Sequence, residues 1–131
     1  MPPDDPIHIL IIDDEDMVRL NLVDYLEDEG YRVMAVCSGE SALALLRTRP
    51  YDTAIVDMRL PGMDGNSFIG EAHRLQPHLR YLIHTGSTTY ALPPELQSLG
   101  ITKDHIFFKP IHDMDTLVEA IENLTKENQH V

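Results

Sequence analysis

The chain has 131 residues, a length typical of one domain, and 43% of them are hydrophobic, enough for one apolar core. Its formal net charge of −12 predicts no direct binding to nucleic acid or membrane, because phosphate groups repel a polyanion. The single cysteine, Cys37, excludes an internal disulfide and suits a reducing compartment. Cys37 follows an apolar run, so we expect it to be buried. Residues 1–6 lack the features of a signal peptide and no apolar run approaches the ~20 residues of a membrane span, so we expect a cytoplasmic location.

Short apolar runs and amphipathic stretches alternate along the first half of the chain. The apolar runs predict three strands, over Ile7–Ile12, Tyr31–Val36 and Thr53–Val56. The stretches between them carry apolar residues at helical spacing. They predict helices over Asp16–Glu29 and Glu40–Thr48.

The second half continues this alternation after a loop over Met58–Asp64. A helix is predicted over Gly65–Leu75, followed by a strand over Tyr81–Ile83. A fifth strand is predicted over Ile106–Phe108 and a last helix over Asp113–Glu127.

Two prolines interrupt the stretch between the fourth and fifth strands. Because proline lacks an N–H group, Pro93-Pro94 excludes a long regular helix, and we expect a loop and then a short helix over Glu95–Leu99. Strands that alternate with helices in this way predict an α/β fold with a five-stranded parallel sheet. The expected architecture is a doubly wound (βα)5, flavodoxin-like three-layer sandwich. We expect a single domain over residues 1–131, with a core over about 6–127 and flexible ends.

Polar residues stand at the carboxyl ends of four predicted strands. Asp13 and Asp14 follow the first strand and Asp57 the third, whereas Thr85 follows the fourth and Lys109 the fifth. These ends share one rim of a doubly wound sheet, so the side chains should converge there. Three carboxylates at such close range repel one another by several kcal/mol, so positive charge must offset this repulsion. Lys109 supplies one positive charge, and a hard divalent cation such as Mg²⁺ would supply the rest.

This pocket suits phosphoryl transfer, a reaction that depends on positioning and charge neutralisation. Asp57 could act as a nucleophile and form an acyl phosphate. Thr85 could donate a hydrogen bond to a phosphoryl oxygen, and Lys109 could place a charge on the same group. Singly, each residue has an ordinary structural explanation, since acids favour helix amino ends and Lys and Thr are common at surfaces and turns. The seven histidines show no metal-ligand spacing and are assigned no role.

Four segments resemble the receiver domain of two-component response regulators, over nearly the whole chain. They are Ile11–Glu15, Val56–Gly65, His84–Gly86 and Phe108–Pro110. The second, Val-Asp-Met-Arg-Leu-Pro-Gly-Met-Asp-Gly, is highly specific by itself, and all four occur in the family's order.

The resemblance implies roles for individual residues. Asp57 matches the phosphoacceptor, Thr85 the hydroxyl residue that moves toward the phosphoryl group, and Lys109 the lysine that contacts it. The Lys109-Pro110 peptide bond is expected to be cis.

The resemblance also implies a metal site and partners. Asp13, Asp14, Asp57 and the main-chain carbonyl of Arg59 are expected to bind Mg²⁺ or Mn²⁺. A sensor histidine kinase or phosphotransfer protein would supply the phosphoryl group. The resulting conformational switch would signal to an output domain or a downstream protein, with a homodimer as one possible active form. Such a domain assists its own phosphorylation and dephosphorylation but is not expected to be a metabolic enzyme.

Three features depart from the family's common pattern. Ile106 stands where a switching aromatic residue is frequent, so coupling would run differently or through Phe107 or Phe108. The pair Pro93-Pro94 falls in the family's usual output surface, whose shape we therefore expect to be unusual. Arg59, two residues after the phosphoacceptor, would slow loss of the phosphoryl group.

Three other functions occur on comparable folds or surfaces. An Asp-nucleophile phosphohydrolase needs substrate-enclosing segments for which the chain has no length. A flavin or nucleotide binder needs backbone donors from Gly, Ser or Thr after the first strand, where this chain has the acidic segment Asp13–Asp16. A receiver-like interaction module that acts without phosphorylation is the main alternative.

Overall fold

The computed structural model describes the backbone of residues 6–129 and the side chains of residues 6–126. The flexibility predicted for Met1–Asp5 lies outside the described residues. Flexibility was also predicted for 128–131; the last helix of the structure includes the backbone of residues 128 and 129, and residues 130 and 131 lie outside the described part. Across the described part, strands and helices alternate in the predicted order.

Five parallel strands form one sheet in the order β2-β1-β3-β4-β5. Each predicted strand is present, with boundaries that differ from the prediction by at most two residues. β4 extends through Thr85, so this hydroxyl residue is the last of its strand. The strands are β1 His8–Ile12, β2 Arg32–Val36, β3 Thr53–Val56, β4 Arg80–Thr85 and β5 Ile106–Phe108.

Five α-helices cover the two faces of the sheet, which confirms the doubly wound α/β architecture. α1 and α5 pack on one face, and α2, α3 and α4 pack on the other. The helices are α1 Asp16–Asp28, α2 Gly39–Leu46, α3 Gly65–Leu75, α4 Pro94–Gln97 and α5 Met114–Gln129. A 3₁₀ turn over Lys103–His105, not predicted from the sequence, precedes β5.

Alternate residues of the central strands supply two separate cores. In β1, Leu10 and Ile12 pack against α2 and α3, whereas Ile9 and Ile11 pack against α1 and α5. All four residues are completely buried. A strand buried on both faces must be apolar at every position, and this explains the continuous apolar runs of the sequence.

The two edge strands are less buried than the central ones. Met34 in β2 is 45% exposed and Phe108 in β5 is 43% exposed. The prediction of a buried Cys37 is wrong, because this residue is exposed. Cys37 follows β2 at the edge of the sheet, where no further strand covers the chain.

The Pro93-Pro94 pair has the predicted effect on the fourth helix. α4 has only four residues and begins with Pro94 in its first turn, where the missing N–H group costs no helical hydrogen bond. Leu96 anchors this short helix in the core. The surface between β4 and β5 is therefore built mostly from irregular backbone.

Two side-chain caps fix the helices that follow β2 and β3. Ser38 accepts a hydrogen bond from the Ser41 amide at 3.1 Å, and Asp64 accepts one from the Ser67 amide at 2.8 Å. Asp64 thereby sets where α3 begins, immediately after the loop that follows Asp57.

Gly65 and Gly70 lie in the same helix but in contrasting surroundings. A Cβ atom at Gly65 would lie 2.8 Å from the Asp57 carbonyl oxygen, whereas a Cβ atom at Gly70 would meet nothing within 4 Å. Gly65→Ala should lower the free energy of unfolding by about 1–3 kcal/mol, because the backbone after β3 must shift. Gly70→Ala should raise it by about 0.5–1 kcal/mol, because alanine favours an exposed helix. Urea unfolding of both variants measures these effects, and equal shifts would contradict the close approach at Gly65.

Candidate functional site

Parallel pairing of β1 and β3 brings Asp13 and Asp57 to the same rim of the sheet. Ile12 pairs with Val56, so the residues that follow leave the sheet side by side. The Asp57 amide continues the ladder by donating to the Ile12 carbonyl at 2.9 Å. Asp13 is 1% exposed and Asp57 is 4% exposed, so both carboxylates are shielded from water.

Lys109 reaches three carboxylates from the neighbouring β5 end. Its Nζ atom lies 2.8 Å from Asp13 Oδ2, 3.0 Å from Glu15 Oε1 and 3.3 Å from Asp57 Oδ2. The backbone places it there, since the Lys109 amide donates to the Thr85 carbonyl at 2.8 Å. The Lys109-Pro110 peptide bond is cis, as predicted.

The charges at this rim perturb one another strongly. Burial raises the pKa of Asp57, and Asp13 raises it further, while the Arg59 amide and Lys109 act in the opposite direction. Burial alone would lower the pKa of Lys109, but Asp13, Glu15 and Asp57 outweigh burial and raise it above its ordinary value. Lys109 is therefore a permanent cation at physiological pH.

One cation does not balance the acidic groups at this rim. Carboxylate oxygens of Asp13, Asp14, Glu15 and Asp57 lie within 4.8 Å of one another. Asp13 Oδ2 is buried, and it receives no hydrogen bond within the described part of the chain although Lys109 lies beside it. A buried carboxylate oxygen without a hydrogen-bond donor, together with the exposed acids Asp14 and Glu15, suits a hard cation such as Mg²⁺ that keeps part of its water shell. The residues present therefore fit a divalent metal.

Asp13 has a second structural role at the start of α1. Its Oδ1 atom accepts a hydrogen bond from the Glu15 amide at 2.9 Å, and Glu15 is the residue that precedes the helix. This bond closes a turn in the loop between β1 and α1, and it coexists with the ion pair to Lys109. The capping role considered from the sequence is not seen, because the N-cap of α1 is Glu15 and no side chain caps the helix.

The loop after β3 holds the Asp57 carboxylate from its other side. The Arg59 amide donates to Asp57 Oδ1 at 3.0 Å, while the Arg59 side chain is exposed. Gly62 in this loop has a φ of +75°, a conformation that favours glycine. Arg59 is therefore tied to Asp57 through its backbone, and its side chain is free to extend over the rim.

Thr85 ends β4 at the same rim and is completely buried. Its Oγ1 atom accepts a hydrogen bond from the Ser87 amide at 3.1 Å. Because a hydroxyl can donate while it accepts, the Thr85 proton remains available for a group bound at the rim.

The structure places all the residues predicted for the site at one rim, and it adds two that the sequence did not single out. Glu15 contacts Lys109 directly, and the acidic run after β1 was a signal for it. His84 was assigned no role because it has no metal-type spacing. Its position between buried Ile83 and Thr85 was the available sign that it would lie inside the protein.

His84 lies at the edge of a cavity of about 470 Å³ beside Lys109, between α1 and the start of α5. It is 5% exposed, and neither ring nitrogen has a hydrogen-bond partner among the described residues. Burial lowers the pKa of His84 to about 4, and Lys109 adds to this effect. The imidazole is therefore neutral at physiological pH.

Comparison with known proteins identifies the family. Residues 9–122 match the model of the response regulator receiver domain. The chain thus belongs to the response regulator receiver family of two-component systems.

Individual relatives have the same domain over most of their length. The response regulator receiver protein CpdR of Brucella abortus (strain 2308) is 33% identical over 116 residues, which cover 88% of this chain and 94% of that protein. Sporulation initiation phosphotransferase F of Bacillus subtilis (strain 168) is 29% identical over 114 residues, which cover 87% of this chain and 90% of that protein.

Solved structures agree with this assignment. The response regulator TrrA of Thermotoga maritima, in complex with Mg²⁺ and BeF, superposes with a TM-score of 0.77 at 29% identity. The alignment covers 90% of this chain and 98% of that one. Within the described residues, no helix is long and apolar enough to cross a membrane.

The buried imidazole predicts an acid-sensitive contribution to stability. Because the pKa of His84 is about 4 in the folded protein and 6.5 ordinarily, stability is lost as pH falls from about 6.5 through about 4. Full protonation of His84 would lower the free energy of unfolding by roughly 3 kcal/mol. The His84→Leu variant has no imidazole and would not show this loss. Urea midpoints from pH about 7 to about 4 should therefore show a growing advantage of the variant over the wild type.

The carboxylates of the rim also titrate in this range, so the comparison needs a matched histidine. His112 is exposed, and His112→Gln should follow the wild-type pH profile. A constant difference between His84→Leu and the wild type at all pH values would disprove the titration of His84.

Proposed function

We propose that the protein is a phosphorylation-dependent switch in which Asp57 accepts a phosphoryl group from a phosphohistidine. The main support is the convergence of Lys109 Nζ and three further carboxylates on the buried Asp57 side chain. A buried carboxylate that a cation holds in place, beside a metal-capable cluster, has the arrangement that phosphoryl transfer requires.

In the transfer, an Asp57 oxygen attacks phosphorus, a new O–P bond forms, and the N–P bond of the donor imidazole breaks. A bound Mg²⁺ would neutralise charge on the transferred group, held by Asp13, Asp14, Asp57 and the Arg59 carbonyl. The Arg59 amide fixes the Asp57 carboxylate at 3.0 Å and keeps it oriented for attack.

Lys109 and Thr85 are the groups on the protein that would contact the transferred phosphoryl. Lys109 Nζ lies 3.3 Å from Asp57 Oδ2, so a small movement would bring it onto a phosphoryl oxygen. The Thr85 hydroxyl can donate to another phosphoryl oxygen. Each interaction is stronger in the charged, phosphorylated state, and this difference is what can drive a conformational change.

The proposed donor is a sensor histidine kinase or a phosphotransfer protein in the cytoplasm. The similarity to a protein named sporulation initiation phosphotransferase F supports a role in phosphoryl transfer between proteins. The similarity to TrrA, whose structure contains Mg²⁺ and BeF, supports a metal at this site. The proposed product is a conformational state that an output domain or a downstream protein recognises, directly or through a homodimer. The protein assists its own phosphorylation and dephosphorylation without turning over a metabolite.

Intact mass spectrometry after incubation with acetyl phosphate tests the proposed function. With Mg²⁺, the wild type should gain one phosphoryl group, whereas Asp57→Asn, which lacks the nucleophile, should gain none. Removing Mg²⁺ with EDTA should abolish the gain in the wild type. Folded protein that gains no mass with Mg²⁺ present would favour an interaction module that acts without phosphorylation.

The exposed Arg59 side chain predicts a long-lived phosphoryl group. Extended over the rim, its guanidinium can pair with the phosphoryl oxygens and hinder the attacking water. Arg59→Asn should therefore speed loss of the phosphoryl group by roughly tenfold, the effect of one charge-assisted hydrogen bond. Decay is followed by intact mass after removal of acetyl phosphate.

An exposed arginine far from the rim provides the control. Arg47 ends α2, and Arg47→Asn should leave the decay rate unchanged. Equal decay in Arg59→Asn and the wild type would show that the guanidinium does not protect the acyl phosphate.

A further inference from the structure

A chain of hydrogen bonds leads from Thr85 into the segment 87–93, which joins β4 to α4. The Ser87 amide donates to Thr85 Oγ1 at 3.1 Å, and the Tyr90 amide donates to the Ser87 carbonyl at 3.2 Å. The Ser87 and Thr89 hydroxyls also lie within hydrogen-bond distance, at 3.2 Å. Segment 87–93 thus begins with a turn whose first anchor is the hydroxyl of the proposed site.

The other end of this turn is fastened to α3. The Tyr90 hydroxyl donates to Asn66 Oδ1 at 3.3 Å, and Asn66 is the second residue of α3. The Asp64 cap fixes this end of the helix, so Asn66 is a firm point of attachment. The Tyr90 ring is half-buried and packs against the core together with Leu92.

The Tyr90 contact is the one inter-element side-chain hydrogen bond that ties segment 87–93 to α3 within the described residues. α4 has only four residues, so little regular structure resists movement of this segment. β5 offers no equivalent buried aromatic contact on the face that carries α2, α3 and α4. Ile106 packs on that face, whereas Phe107 packs on the opposite face and Phe108 is 43% exposed.

We propose that the Tyr90–Asn66 hydrogen bond is a latch, closed as seen here, that opens when Asp57 is phosphorylated. The proposal rests on the proposed function, because it requires the phosphoryl group to draw the Thr85 hydroxyl toward it. Movement of Thr85 either carries Ser87 along or breaks the 3.1 Å bond between them. Either change displaces the turn that carries Tyr90, while Asn66 stays with α3.

Thermodynamic linkage gives the latch a measurable consequence. If the latch is made only in the closed state, its removal must shift the population toward the state that phosphorylation favours. Tyr90→Phe keeps the ring and its packing but removes the hydroxyl. The net worth of one hydrogen bond predicts a roughly two- to tenfold faster phosphorylation by acetyl phosphate. Asn66→Leu should have the same effect, and the double variant should show no further increase.

The movement itself can be observed by ¹⁹F NMR of protein labelled with 3-fluorotyrosine. The chain has five tyrosines, and Tyr90→Phe identifies the Tyr90 signal by its loss. Acetyl phosphate with Mg²⁺ should shift that signal in the wild type and leave it in place in Asp57→Asn. Tyr25→Phe is the matched control, since it removes a hydroxyl that bonds Asp115 at 2.8 Å and joins α1 to α5 on the other face.

Intact mass, measured on the same samples, separates failure of the latch from failure of the proposed function. Absence of a Mg²⁺-dependent mass gain would overturn the function and the latch with it. A normal mass gain with a static Tyr90 signal, or with a rate in Tyr90→Phe equal to that in Tyr25→Phe, would overturn the latch alone. A shifted signal and faster phosphorylation in Tyr90→Phe and Asn66→Leu, but not in Tyr25→Phe, would establish it.

Discussion

The site depends on one constraint: Lys109 is the only cation that contacts the carboxylates at the rim among the described residues. Asp13 and Asp57 are buried acids from adjacent strands, and burial makes their mutual repulsion stronger than it would be in water. Lys109 offsets part of this repulsion but leaves an acidic excess. The folded protein thus carries an electrostatic cost at this rim that a bound cation would relieve, which is the physical basis of the proposed metal site.

The parallel sheet makes this arrangement possible. Parallel strands all end at the same rim, so residues far apart in sequence meet there without any special loop. Burial of β1 and β3 on both faces then fixes their register, because a shift of one residue would exchange the two cores. Precise placement of Asp13 beside Asp57 is therefore a consequence of core packing.

Much of this could be predicted from the sequence. Continuous apolar runs located the five strands, and the polar residues that follow them located the site. What sequence periodicity could not supply was the exposure of individual positions, since it does not show which strand lies at an edge. Cys37 was misjudged for that reason. His84 and Tyr90 were missed because their significance depends on side-chain contacts, a cavity in one case and the bond to Asn66 in the other, that have no local pattern.

The two oxygens of Asp13 serve different neighbours. Oδ1 holds the Glu15 amide at the start of α1, while Oδ2 faces Lys109 and the proposed metal position. A carboxylate is rigid and planar, so a cation that rotated Asp13 to improve its own coordination would also disturb the hydrogen bond to the Glu15 amide, just before α1 begins. The proposed metal position is thereby connected to the point where the chain enters α1, the helix that carries the exposed Met17 and Leu20 side chains.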